Sequence, residues 1–175
     1  QAGNYVFPLE KTSVRFSHSL AKFSDITLNY LNWPLSTLQL IGSKSDLLQL
    51  AELVIQKWYN YNNPELGIIS ASEQGVRHNA ITPILRKLSA SNDSYCLYLI
   101  LRNNRTSDEH PEGIFHPHRE LHHIKKENIG LIEAMGLAIL PGRLAAELKE
   151  IENLLLLNDA DSAVTSLLFD DRLVK

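Results

Sequence analysis

Apolar and polar positions alternate through Ile26-Thr27-Leu28-Asn29-Tyr30-Leu31. That is the pattern of a strand with one face buried. Asn32-Trp33-Pro34 punctuates it, and residues 35–41 read as the next strand, which predicts an antiparallel pair. Ser43 stands three residues before Asp46, a helix-start signal resembling a capping box. Leu47, Leu50, Ala51, Val54, Ile55 and Trp58 come next at helical spacing, so a helix is expected at 44–60. Two further strands are predicted at 66–72 and 76–85. The unbroken apolar run Tyr95-Cys96-Leu97-Tyr98-Leu99-Ile100-Leu101 belongs in a sheet interior, where both faces are covered. Residues 102–113 are polar and read as an exposed loop, with an extended piece at 114–118. Residues 129–139 are apolar and fit strand or helix by pattern alone. Pro141 opens a helix expected at 141–157, and a shorter helix is expected at 161–169. These elements predict an α+β class, an antiparallel sheet with helices packed on it, in a single domain over residues 1–175.

The chain's 175 residues suffice for one real core. A net charge of -3 excludes a broad electrostatic footprint for nucleic acid or an anionic membrane. The one dense basic spot, His122-His123-Ile124-Lys125-Lys126, has the length of a local anion site or a solvated turn. A single cysteine, Cys96, allows no internal disulfide and fits a reducing compartment; its apolar surroundings mark it as core filler. No apolar stretch reaches the roughly 18 residues of a membrane span. Gln1-Ala2-Gly3-Asn4 has the character of neither a signal nor a transit peptide, and the missing initiator methionine suggests a processed chain or a fragment.

Four of the seven histidines fall within eight residues: His116, His118, His122 and His123. In an extended His116-Pro117-His118, both imidazoles would project from one face and could clasp a metal ion or a phosphoryl group. The competing reading is an exposed loop that is rich in histidine. His78, in a predicted strand, reads by itself as a hydrogen-bonded sheet histidine. Glu133 interrupts an apolar run, so its carboxylate must be paired, hydrogen-bonded or facing a pocket where sugar hydroxyls would suit it; the competing reading is that it points to water. No phosphate-binding glycine loop, dinucleotide fingerprint, nucleophile elbow or Cys-x-x-Cys is present.

The segment Phe115-His116-Pro117-His118-Arg119-Glu120-Leu121-His122-His123, continuing through Ile129-Gly130-Leu131-Ile132-Glu133-Ala134-Met135-Gly136-Leu137 to Pro141, closely resembles a stretch of the class II galactose-1-phosphate uridylyltransferases. Gln1-Ala2-Gly3-Asn4-Tyr5-Val6-Phe7 resembles the end of that family's signature, roughly His-x-His-Tyr/Phe-Gln-Gly-Gly, and the residues after it, with Ala2 in place of the first glycine. The similarity runs along essentially the whole chain and corresponds to the family's C-terminal portion.

The resemblance implies a fold related to the histidine-triad superfamily and a cytoplasmic enzyme of galactose metabolism. It implies a double displacement, in which a histidine attacks the α-phosphorus of UDP-glucose and releases glucose 1-phosphate, and galactose 1-phosphate then takes the uridylyl group. The nucleophile would lie upstream of Gln1, so the chain alone is expected to be inactive and to need the N-terminal half as partner. Gln1 would donate its amide to the transferred phosphoryl group. A more distant match to the class I enzymes implies a structural zinc or iron on His78, His116 and His118, with a carboxylate from the other half. It also implies a hexose contact at Glu133, although Ile132 stands where class I has tyrosine. No nucleic acid or membrane partner is expected, while an exposed half-interface predicts self-association, as in a homodimer. Two competing readings are a histidine-triad-like nucleotide hydrolase and a non-enzymatic domain for metal binding or subunit packing.

Overall fold

The structure is a computed structural model that describes residues 5–23, 25–88 and 93–156. The chain divides into two compact units, residues 1–116 with 129–137, and residues 117–128 with 138–175.

The first unit is built on a five-stranded antiparallel sheet. Its strands are β1 (Ser17–Phe23), β2 (Ile26–Leu31), β3 (Thr37–Gly42), β4 (Asn79–Lys87) and β5 (Tyr95–Asn103). Their order is β1-β2-β3-β5-β4, which puts β5 between two neighbours, as its unbroken apolar run requires. Side chains alternate across β5. Leu97 and Leu99 enter one cluster with Leu40, Leu47 and Ala51, while Cys96, Tyr98 and Ile100 enter another with Phe7, Leu9 and Met135.

Helix α2 (Lys44–Tyr59) covers the first of these faces. Ser43 starts it as expected: its Oγ accepts the Asp46 N–H at 3.3 Å and donates to Asp46 Oδ2 at 2.8 Å. At the far end Trp58 Nε1 donates to the Ala80 carbonyl at 3.0 Å, tying the helix to β4. The other face is covered by α1 (Pro8–Arg15) and the short helix α3 (Leu131–Ala134). Leu9 N–H donates to Met135 O at 3.1 Å, and Trp33 Nε1 donates to Ala134 O at 3.1 Å, which joins these two pieces to each other and to the sheet. Gly136, at φ 97, ends α3 in the left-handed conformation that a helix C-terminus favours.

Pro83 lies inside β4, where a ladder hydrogen bond would ordinarily be lost. The Leu88 N–H reaches Ser94 O at 2.9 Å, so even-numbered residues of β4 bond to β5 and odd-numbered ones face away. The Pro83 nitrogen therefore faces the open edge, where it costs nothing.

Several expectations change. Residues 66–72 are not a strand: Pro64–Leu66 forms a 3-10 turn, Gly67 takes φ 67, and only isolated bridges at Asn63–Ile68 and Ala71–Arg77 come after it. The Asn63 side chain accepts the Leu66 N–H at 3.3 Å, closing the turn that breaks any strand there. The strand expected at 76–85 starts at Asn79 and runs to Lys87, and β5 continues to Asn103 into the predicted loop. The stretch at 114–116 is turn and bend rather than extended, because Ile114 N–H bonds to Arg105 O and His116 N–H to Gly113 O. Helix α1 and strand β1 are additions that the sequence pattern does not predict. β1 is exposed along nearly its whole length, so neither of its faces carries an apolar pattern to read.

In the second unit, Arg119–Leu121 forms a 3-10 turn and α4 spans Leu144–Leu156. Leu144 N–H bonds to Pro141 O at 3.0 Å, so the turn at Pro141 leads into α4 without being part of it. The helix expected at 161–169 lies outside the described residues.

Candidate functional site

His78 is buried at the start of β4, only 6% exposed. Its Nδ1 lies 3.1 Å from Ile69 O, which makes Nδ1 the protonated nitrogen and leaves the lone pair on Nε2. That Nε2 has no hydrogen-bond partner among the described residues. Asn103 donates to the same Ile69 carbonyl at 2.7 Å and to Asn79 Oδ1 at 2.6 Å, while Asn79 Nδ2 donates to Trp58 O and Tyr61 O, each at 2.7 Å. The imidazole is thus fixed in one tautomer within a rigid amide network. Such an arrangement suits a metal-binding histidine, whose second nitrogen is usually oriented by a carbonyl or carboxylate.

His116 lies just past a tight turn closed on Gly113, whose φ is 101. Its Nδ1 lies 3.0 Å from Glu112 Oε2. Glu112 is a residue that the sequence pattern does not single out, although its spacing of four from His116 is a usable signal. Both side chains offer atoms capable of holding a metal ion. His118 lies in the other unit, at the start of the 3-10 turn, where its carbonyl accepts from Leu121 N–H. His116 and His118 therefore do not alternate along one strand, as an extended segment would require.

In that second unit His122 Nε2 lies 3.1 Å from Pro117 O, and His123 Nδ1 lies 2.8 Å from Glu120 O. The Arg143 guanidinium donates to the His123 carbonyl and to Glu147. The basic stretch is thus a hydrogen-bonded turn.

Glu133 Oε2 accepts the Gly130 N–H at 2.8 Å. This bond serves the start of α3. Gln1 lies outside the described residues. An open cleft of about 580 Å3 runs between β4 and α3, lined among others by Tyr5, Phe7, Ile84, Leu131 and Met135. Among the described residues its wall is apolar apart from Arg86 and Tyr5, and none that lines it is a histidine.

A polar chain crosses the buried sheet face. Asn29 Nδ2 donates to Gln39 Oε1 at 2.9 Å, Gln39 Nε2 to the Tyr98 hydroxyl at 3.4 Å, and Tyr98 meets Ser13 Oγ at 3.3 Å. Burial is the main reason that the Cys96 thiol beside this chain, and the Tyr98 hydroxyl within it, are both pushed up from their ordinary pKa values. Cys96 is core filler, as its neighbours in sequence indicated.

The family model for the galactose-1-phosphate uridyl transferase C-terminal domain matches residues 8–166. A galactose-1-phosphate uridylyltransferase from Clostridium perfringens is 49% identical over 156 residues, 89% of this chain and 30% of its own length. The proteins of that name from Enterococcus faecalis and Lactococcus lactis subsp. cremoris are each 46% identical, over 89% and 91% of this chain and 31% and 32% of their own lengths. The chain thus spans about a third of the length of the curated relatives it matches. No solved structure matches.

Proposed function

This chain belongs to the galactose-1-phosphate uridyl transferase C-terminal domain family, and on that premise we propose that it is the C-terminal portion of an enzyme moving a uridylyl group from UDP-glucose to galactose 1-phosphate. The match over residues 8–166 carries the proposal, since it spans the sheet and the helices on both its faces.

In this reading the two transfers use one histidine outside this chain. It displaces glucose 1-phosphate from the α-phosphorus of UDP-glucose. It is then itself displaced by a phosphate oxygen of galactose 1-phosphate, so each P–O or P–N bond broken is matched by one formed. Gln1 would donate to the oxygens of the group in flight. Glu133 would have to contact a hexose hydroxyl with whatever acceptor capacity its bond to Gly130 leaves.

His78, His116 and His118 are proposed as ligands of a structural zinc or iron. The orphaned, carbonyl-oriented imidazole of His78 fits that role. Glu112, beside His116, adds a carboxylate from within this chain. Such a metal would pin the His116 loop. Among the described residues no helix is long and apolar enough to cross a membrane. The N-terminal portion of the enzyme is the proposed partner, and a second copy is a further one.

The test is a chimera in which residues 5–166 replace the matching segment of the Clostridium perfringens relative. UDP-galactose formation from UDP-glucose and galactose 1-phosphate is expected, with this chain alone inactive. A folded chimera without transfer activity refutes the proposal. Nucleotide hydrolysis by this chain alone would favour the hydrolase reading instead.

A further inference from the structure

Two charged side chains far apart in sequence grip one short stretch of backbone. Glu10, in the first turn of α1, accepts the Arg86 Nε–H on Oε1 at 2.7 Å. Its Oε2 accepts the Phe7 N–H at 2.9 Å. Arg86, on β4, donates through Nη2 to the Tyr5 carbonyl at 2.8 Å. The two side chains, Arg86 and Glu10, are only 21% and 14% exposed, so the pair is shielded enough to hold its geometry.

Stability of α1 does not call for this arrangement in full. Pro8 pre-sets the first turn, Glu10 satisfies the Phe7 N–H, Leu9 bonds to Met135, and Ser13 meets Tyr98. The bond from Arg86 to Tyr5 adds nothing to the helix, because Tyr5 lies outside it. It fixes instead the direction from which the chain approaches the helix. In the reading above, the N-terminal portion of the enzyme would join this domain along that approach.

We propose that Glu10 and Arg86 are positioning residues for uridylyl transfer: by holding Tyr5 and Phe7 against β4 they set the placement of the reacting segment that precedes this domain. The proposal rests on the uridylyltransferase reading above. Arg86 can do this because its planar fork donates to a carboxylate and a carbonyl at once; a lysine's single ammonium, on a differently shaped stem, cannot reproduce the fork.

In the active chimera, Arg86→Met and Arg86→Lys are each expected to lower kcat by about 10- to 100-fold, the cost of a displacement on the order of 1 Å at the reacting atoms. KM for galactose 1-phosphate should hold. Both half-reactions should slow by the same factor, because one segment serves both. The double exchange Glu10→Arg with Arg86→Glu restores opposite charges but leaves the Phe7 N–H without an acceptor and the Tyr5 carbonyl without a donor, so it should stay slow. Restored kcat in the exchange variant overturns the proposal, since charge pairing alone would then suffice. So does a loss of kcat fully matched by a smaller fraction of enzyme able to form the uridylyl intermediate, which would mean misfolding. An unsubstituted chimera that is folded but inactive overturns the functional reading and this proposal with it. An active chimera insensitive to Arg86→Met overturns the proposal alone.

Discussion

Replacing Gly136 with alanine isolates what the join between α3 and the sheet costs. Gly136 has φ 97, and a Cβ built there meets Pro8 Cβ and a Trp33 ring carbon, each at 2.8 Å. Left-handed backbone costs an L-residue roughly 1–2 kcal/mol. Carbon atoms prefer about 3.5–4.0 Å, so each contact is short by about 0.7 Å or more, and such overpacking costs roughly 1–3 kcal/mol. Neither neighbour is the tip of a flexible chain: Pro8 is in the first turn of α1, and Trp33 is held by its bond to Ala134. Together the two effects predict a loss of about 2–5 kcal/mol. Gly75 supplies the comparison, with φ 79 and nothing within 4 Å of its Cβ. Gly75→Ala meets only the backbone cost, offset by roughly 0.4–1 kcal/mol from a stiffer unfolded chain, for a net loss of about 1 kcal/mol. Urea unfolding monitored by far-UV circular dichroism measures both variants. If Gly136→Ala unfolds at the same midpoint as Gly75→Ala, the packing of α1 and Trp33 over α3 is not what holds this face.

Three further outcomes rest on the same geometry. Leu99→Ala, at a fully buried site between β3 and β4, should cost about 2–5 kcal/mol in urea unfolding; a loss well under 1 kcal/mol would mean that α2 collapses onto the gap. The raised Cys96 thiol is neutral in the folded state over a wider range than in the unfolded chain, whose thiol titrates near 9. Its stabilising contribution is therefore complete below that pH and falls away as pH rises through the folded value. Cys96→Val should flatten the alkaline decline in the urea midpoint, and an unchanged decline would assign it elsewhere, Tyr98 being the first alternative. Glu133→Gln keeps an acceptor for Gly130 while Glu133→Ala removes it, so the alanine variant should lose more stability, by about 1 kcal/mol. If the chimera loses activity equally with both, the charge of Glu133 is needed by the substrate.

Local rules were legible in several elements that have a buried face to report. The β2–β3 pair, the capped start of α2 and the interior position of β5 could be read from alternation, a serine three residues before an aspartate, and an unbroken apolar run. The role of Cys96 as core filler was evident from its neighbours. The sequence also carried the family, because the stretch from 115 to 141 is long and idiosyncratic. It could not reveal β1, an edge strand exposed on both faces, nor the turn at 114–116, whose closing bonds come from Arg105 and Gly113.

Tertiary structure decided the rest, because the deciding partners are distant along the chain. Arg86 reaches Glu10 across 76 positions and Tyr5 across 81, and no spacing rule pairs them. His78 was a candidate ligand by resemblance alone; that its Nδ1 meets the Ile69 carbonyl while its buried Nε2 is left over is a matter of tertiary packing. Glu133, ambiguous as a lone carboxylate in an apolar run, meets the Gly130 N–H because the chain turns into α3 there. Periodicity tells which face a residue takes; which atom it meets on that face depends on how the strands and helices pack, and that is set by contacts between distant parts of the chain.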